Sequence, residues 1–303
     1  AQSCAGNIIA LTNAICAILA RPCATFSALT HSRAVEILKI VLILGSAANA
    51  VQARTFNRIQ FDAIVAINNA WRIRDDWTHL VHAGDFPDNR KPVPSDSQIC
   101  LSHEAYVPAN NAYGGIVYAG GTMAFSTAYW ALHVLKPDLL VFCGCDMIYD
   151  QTNGPSHFYG PGTADPLRAD PTLQSLEAKS NRVLLLAAEQ DCLCLNISEL
   201  QHSRLTFPRI TVAGLAAANH QSHAGGLHKI RRRQDKLSTE RAKFLELSYE
   251  QFVPGGAYWA DANALIPQYL LEIDNHWLSG FTQPGASEPQ ALRAAPSSPP
   301  ATG

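Results

Sequence analysis

The segment from residue 150 to 170, DQTNGPSHFYGPGTADPLRAD, gathers His157, Tyr159, Asp165 and Arg168 into one Gly- and Pro-rich stretch. That mixture suits group transfer. A departing phosphate needs hydrogen-bond donors such as a phenol or a guanidinium, and an acceptor hydroxyl needs a base that works near neutral pH, such as an imidazole. A connection this long in a compact domain is either a working lid or a linker, and its aromatic, His and Arg content favours a lid. The bland alternative is that His157 and Tyr159 only anchor the loop.

Two carboxylates follow apolar runs directly, Asp85 in Gly84-Asp85-Phe86 and Asp146 in Gly144-Cys145-Asp146. Each can serve as a general base, a metal ligand or an N-cap of the next turn. Gly45-Ser46-Ala47-Ala48-Asn49 closes another run; small residues between a strand and a helix let backbone N–H groups meet a phosphate or ribose. It matches neither G-x-G-x-x-G nor G-x-x-x-x-G-K-[ST], which argues against a hydride enzyme and a Walker ATPase. Asn68-Asn69 ends a further run, where an uncharged amide can donate to and accept from a base or ribose, or simply cap a turn.

The elements that must position these residues alternate. Apolar runs of strand length at 38–44, 63–67, 79–82, 99–101, 139–143 and 192–195 are separated by helical periodicity at 122–135 and 173–189 and by Gly, Pro and Asn. Continuous apolar runs predict parallel strands buried on both faces, hence an α/β, Rossmann-like, mostly parallel sheet flanked by helices, with ligands at the strand ends. We expect an N-terminal helical extension over 1–36, a nucleotide-binding and catalytic domain over 37–225 with a lid over 150–170, a helical C-terminal subdomain over 226–282 with helices at 227–252 and 261–278, and a disordered tail over 283–303.

With 303 residues, 47% hydrophobic and 16% charged, and a net charge of −2, the chain fits a globular fold and neither a disordered polymer nor a broadly basic nucleic-acid coat. Its eight cysteines are sparse, which predicts a reducing, cytoplasmic setting; the two C-x-C pairs, 143/145 and 192/194, lie in apolar runs and read as buried thiols before zinc ligands. The apolar stretch 8–20 is too short to span a bilayer and reads as a packed helix before a signal remnant. Between His228 and Lys243 lie seven Lys and Arg residues, a basic face that would approach an anionic membrane or simply face solvent. Without interleaved aromatics it gives no reason to expect nucleic acid.

Over roughly 39–199 the order of parts resembles the bacterial sialyltransferases and, more distantly, the pterin pyrophosphokinase-like proteins. The resemblance rests on VLILGSAAN, FDAIVAINNAW, GGTMAFSTAYWALHVLKPDLLVFCGCDMIYD and SLEAKSNRVLLLAAEQDCLCLN, the third being the most specific. It implies that Gly45, Ser46, Asn68, Gly121 and Thr122 hold the nucleotide and that Tyr149 and Tyr159 meet the leaving phosphate, to which the residues of the lid segment themselves add Arg168. The family's first turn usually reads G-N-G-P-S, so the donor nucleotide here can differ. Its catalytic His precedes the helix that starts here near Leu173, where this chain has only Pro166 to Asp170; His157 is the nearest substitute, and failing it Asp165 or Asp146. The family works without metal, and no D-x-D motif is present.

The resemblance therefore implies a metal-independent, inverting glycosyltransferase that moves a sugar, sialic-acid-like from a CMP donor, to a saccharide or lipid-saccharide acceptor. It would need no cofactor; apart from the resemblance, the basic helix leads us to expect a peripheral contact with the inner membrane face, and a homo-oligomer is expected as well. One alternative is a pterin-type diphosphotransferase using Mg²⁺ held by Asp85 or Asp146; another is a non-catalytic nucleotide-binding module.

Overall fold

The computed structural model describes residues 37–148, 156–160, 170–261 and 265–282. Six strands, β1 (Ile40–Leu44), β2 (Ala63–Ile67), β3 (His79–Val81), β4 (Ile99–Leu101), β5 (Leu139–Cys143) and β6 (Leu193–Ile197), form one all-parallel sheet in the order β4-β3-β2-β1-β5-β6. The apolar runs IVLIL, AIVAI and LLVFC occupy its centre because helices cover both faces, and β2 and β5 are buried at every position. This is the expected Rossmann-like α/β architecture.

The helices are α1 (His103–Asn111), α2 (Ile116–Ala119), α3 (Met123–Trp130), α4 (Leu176–Glu189), α5 (Val212–Ala216), α6 (His220–Arg233), α7 (Lys236–Tyr249) and α8 (Pro267–Gly280). After α3 the chain continues through one wider turn, Ala131–Leu135, and stops at Lys136, whose φ of 49° is left-handed, just before Pro137. The expected single helix over 227–252 is two: Gln234 is extended, and the Asp235 carboxylate accepts from Leu237 N and Ser238 N to start α7. The helix expected from 173 begins at Leu176, where Ser175 Oγ accepts from Ala178 N at 3.2 Å.

Leu227 and Ile230 of α6 and Leu270, Ile273 and Trp277 of α8 share one hydrophobic core with the sheet. Buried charges tie α7 and α8 to α4. Arg182 donates to both oxygens of Glu246, at 2.8 and 2.7 Å, and to Tyr129 Oη at 2.7 Å, while Trp277 Nε1 donates to Glu246 at 2.7 Å. Burial pushes the Tyr129 phenol up to about 12 despite the guanidinium beside it. Lys179 meets Asp274 at 2.8 Å, both no more than 1% exposed, and burial raises the Asp274 carboxyl. Of the seven basic residues, Arg231 pairs with Asp191 and Lys243 with Glu189 and Glu240. Cys143, Cys145, Cys192 and Cys194 are buried, as expected, and burial pushes the Cys143 thiol up to about 12. Among the described residues no helix is long and apolar enough to cross a membrane.

Candidate functional site

Neighbouring strands β1 and β5 send their C-terminal connections to opposite sides of the sheet, so a crevice must open where they part. Gly45 and Gly144 make that crevice tight. Gly45 N donates to Cys143 O at 2.8 Å, and a Cβ on Gly45 would lie 2.2 Å from Gly144 O and 2.6 Å from Cys145 Sγ. Gly144 has φ +71°, and a Cβ there would lie 2.3 Å from that of Ala50. Only glycine lets the two turns meet.

The crevice is a polar cleft of about 260 Å³ at the C-terminal ends of β1, β2, β3 and β5, and it brings together Gly45, Ser46, Asn68, Thr122, His157 and Tyr159. The two asparagines after β2 do different things. Asn68, held at φ 49°, accepts from Ala83 N through Oδ1 at 3.0 Å and so ties β2 to the turn after β3. Asn69 is 6% exposed and faces the cleft with no hydrogen-bond partner among the described residues. The Asn69 amide is open to the cleft while the Asn68 carbonyl oxygen is already engaged, which leaves Asn69 the freer of the pair to meet a ligand. Thr122 caps α3, its Oγ1 accepting from Phe125 N at 3.3 Å, and Met123 and Ala124 of the first turn line the cleft. The positively polarised end of that helix thus borders the same space as Arg90, a pair suited to an anionic ligand, while the Asp85 carboxylate on the same wall opposes one.

From the expected lid, residues 156–160 fold over the first turn. Phe158 N donates to Ser46 O at 3.1 Å, and His157 pairs in antiparallel fashion with Ala47 and Gly160. His157 is 8% exposed; its Nδ1 lies 2.8 Å from Ser156 Oγ, and its ring stacks on Tyr159 with centroids 5.0 Å apart. The imidazole and the phenol singled out from the sequence thus lie beside the glycine turn. Tyr149, Asp165 and Arg168 lie outside the described residues, as do 1–36 and 283–303.

Two other candidates stand apart from the cleft. Asp146 is wholly buried, its carboxylate accepting from Asn49 Nδ2 at 3.0 Å, Asn196 Nδ2 at 3.0 Å and Ser198 Oγ at 2.9 Å. It joins the ends of β1, β5 and β6 and has no face on the cleft, which makes it an anchor and not a base. Of the two carboxylates considered for Mg²⁺, only Asp85 reaches the cleft. Gly121 also turns away: its N–H donates to Thr172 Oγ1 at 3.0 Å, and a Cβ there would lie 2.1 Å from Tyr258 Oη.

That contact reveals what the sequence reading missed. Tyr258 donates to Asp170 Oδ2 at 2.6 Å, and Asp170 Oδ1 accepts from Thr172 N and Oγ1, so the far end of the lid segment is moored to the C-terminal region. The run Gly255-Gly256-Ala257-Tyr258-Trp259 was the available signal: a double-glycine turn followed by two aromatics. It helps line a second hollow of about 650 Å³, which meets the first at Ala83, Asp85 and Met123.

Fold and site together define an α/β protein with a polar cleft at the switch point of a parallel sheet. No family model, curated protein or solved structure matches the chain.

Proposed function

We propose that the cleft binds the nucleotide of a sugar donor, CMP-linked in the first instance, and that the chain transfers the sugar to an acceptor with inversion and without a metal. The single observation that carries this reading is the junction of two hollows: a small polar one bordered by a helix N-terminus, and a larger one beside it, with His157 on the rim of the first. A two-substrate transfer needs that adjacency, because the reacting atoms must approach within about 3–3.5 Å. In the step, the acceptor oxygen bonds to the anomeric carbon as the bond from that carbon to the phosphate oxygen breaks. The electron pair leaves with the phosphate, and the acceptor proton passes to the imidazole of His157. Tyr159, with Tyr149 and Arg168, would stabilise the departing charge. The basic residues of α6 that form no ion pair among the described residues, Lys229, Arg232 and Arg233, suit an approach to an anionic membrane face in the cytoplasm.

Incubation with CMP-, UDP- and GDP-sugars plus a saccharide acceptor in EDTA tests the reading. Free nucleotide should be released, and His157→Ala should lower turnover by about 10²–10⁴. Turnover of ATP that requires Mg²⁺ would instead favour diphosphoryl transfer with Asp85 as a ligand, and binding without turnover would favour a non-catalytic module.

A further inference from the structure

A third hollow, of about 780 Å³, runs along the outer edge of β6, between that strand, the segment 206–218 and α6. It shares no described lining residue with the cleft or with the hollow beside it. One wall is apolar, where Leu193 and Leu195 of β6 meet Phe207 and Ile210. The other is α6, which presents Gly225, Lys229 and Arg233 in a row at i, i+4 and i+8. Gly226, beside the row, is required by packing, since a Cβ there would lie 2.5 Å from Leu193 Cδ2. Gly225 is not: a Cβ on it would meet nothing within 4 Å. Glycine weakens a helix interior, and at 225 it leaves open a wall that a side chain would narrow.

The charges around this hollow fall into two sets. Arg209 gives its guanidinium to the Ser198, Leu200 and Gln201 carbonyls, His223 Nε2 lies 2.8 Å from Asp191 O, and Arg231, which does not line the hollow, pairs with Asp191 at 2.6 Å. Lys229 and Arg233 are exposed and form no ion pair or side-chain hydrogen bond among the described residues. An apolar wall facing two uncommitted cations one helical turn apart fits a ligand with an apolar body and an anionic end: the body leaves water, and the charged end gains charge-assisted donors. The volume is that of a site for one small molecule.

We infer that this hollow binds a monomeric fatty carboxylate, whose chain lies against Leu193, Leu195 and Ile210 while its carboxylate accepts from Lys229 and Arg233. The site is independent of the cleft and of the glycosyl-transfer reading. Arg232 lies outside the lining, so carboxylate binding and an approach of α6 to a membrane are separable.

Calorimetric titration of the full chain with octanoate, decanoate and dodecanoate, each below its micelle concentration, tests the site. Affinity should rise about fourfold for each added CH₂ that enters the hollow, and decanol should bind about tenfold more weakly than decanoate. Arg233→Glu should weaken dodecanoate by about tenfold or more, whereas Arg232→Glu, the same change of charge one residue away, should alter it by less than about threefold. Gly225→Leu should abolish binding without lowering the melting temperature, because leucine favours a helix over glycine. No binding at any chain length, an affinity independent of chain length, equal effects of the two arginine variants, or wild-type binding by Gly225→Leu would overturn the inference. Binding to phosphatidylglycerol vesicles with none to the monomeric carboxylates would also overturn it, and would assign the cations to a bilayer surface.

Discussion

The interface of α4 with α7 and α8 and the cleft at the β1/β5 switch point are both polar, yet they treat their polar groups in opposite ways. At the helical interface Arg182, Glu246, Tyr129 and Trp277 satisfy one another, and Lys179 faces Asp274 out of reach of water. In the cleft Asn69 lines the space with no hydrogen-bond partner among the described residues, and the exposed Asp85 and Arg90 line it beside a helix N-terminus. Groups paired with one another hold a scaffold in one arrangement; groups open to a cleft are available to a ligand. The scaffold matters to the cleft because α4 begins just after the Asp170–Thr172 turn that moors the lid segment to Tyr258.

Breaking the helical interface should have the largest effect. Glu246→Ala strands a buried guanidinium and should cost about 3–5 kcal/mol of stability, read by denaturant unfolding. A loss below about 1 kcal/mol would mean that the interface admits water.

The two asparagines sharpen the contrast within a single turn. Asn68→Ala removes the tie to Ala83 N and places alanine at positive φ, so stability should fall by about 1–3 kcal/mol. Asn69→Ala should leave stability within about 0.5 kcal/mol but weaken nucleotide binding about tenfold, as expected when one buried hydrogen bond to a ligand is lost. Calorimetric titration and unfolding of the same two variants separate the roles, and equal effects on both would erase the distinction.

The smallest effect is a pH slope away from both regions. His79, packed beside Trp130 with ring centroids 5.1 Å apart, has its pKa held below the usual 6.5 by desolvation. The folded state therefore binds this proton more weakly than the unfolded one. Its contribution is complete above pH 6.5 and is lost as pH falls from there through the folded pKa. His79→Gln should flatten that limb of a plot of melting temperature against pH, and an unchanged slope would assign it to another group.

The sheet was legible because burial on both faces leaves a direct trace: AIVAI and LLVFC begin and end where the apolar runs do. Helices whose local signals conflict with their packing were not legible. Pro108 disguises α1, which Ser102 nonetheless starts by accepting from Glu104 N and which buries Tyr106, Val107, Ala109 and Asn110. The break between α6 and α7 is carried by Gln234 and the Asp235 cap, inside a charged run that reads as continuous. Of the candidate site residues, Gly45, Ser46 and Asn68 line the cleft because they follow β1 and β2 directly, whereas Thr122, named through the resemblance, lines it as the cap of α3. Side-chain direction separated Asn69 from Asn68 and sent Asp146 inward, and sequence spacing does not encode it. Tyr258 and Trp259 reach the site from more than 100 residues beyond the Gly121 turn, through tertiary contacts that no local pattern announces.

The central claim is that the groups open to the cleft bind a nucleotide. Its most direct test is the melting temperature of the wild-type chain and of Asn69→Ala with CMP, UDP, GDP and ATP, each in EDTA and in Mg²⁺. A nucleotide at about 100 times its Kd should add about 2.7 kcal/mol of stability. The account predicts that CMP or another sugar-donor nucleotide stabilises the wild type in EDTA and that Asn69→Ala loses about half of this gain; stabilisation by none of the four, or by one that Asn69→Ala leaves unchanged, would contradict it.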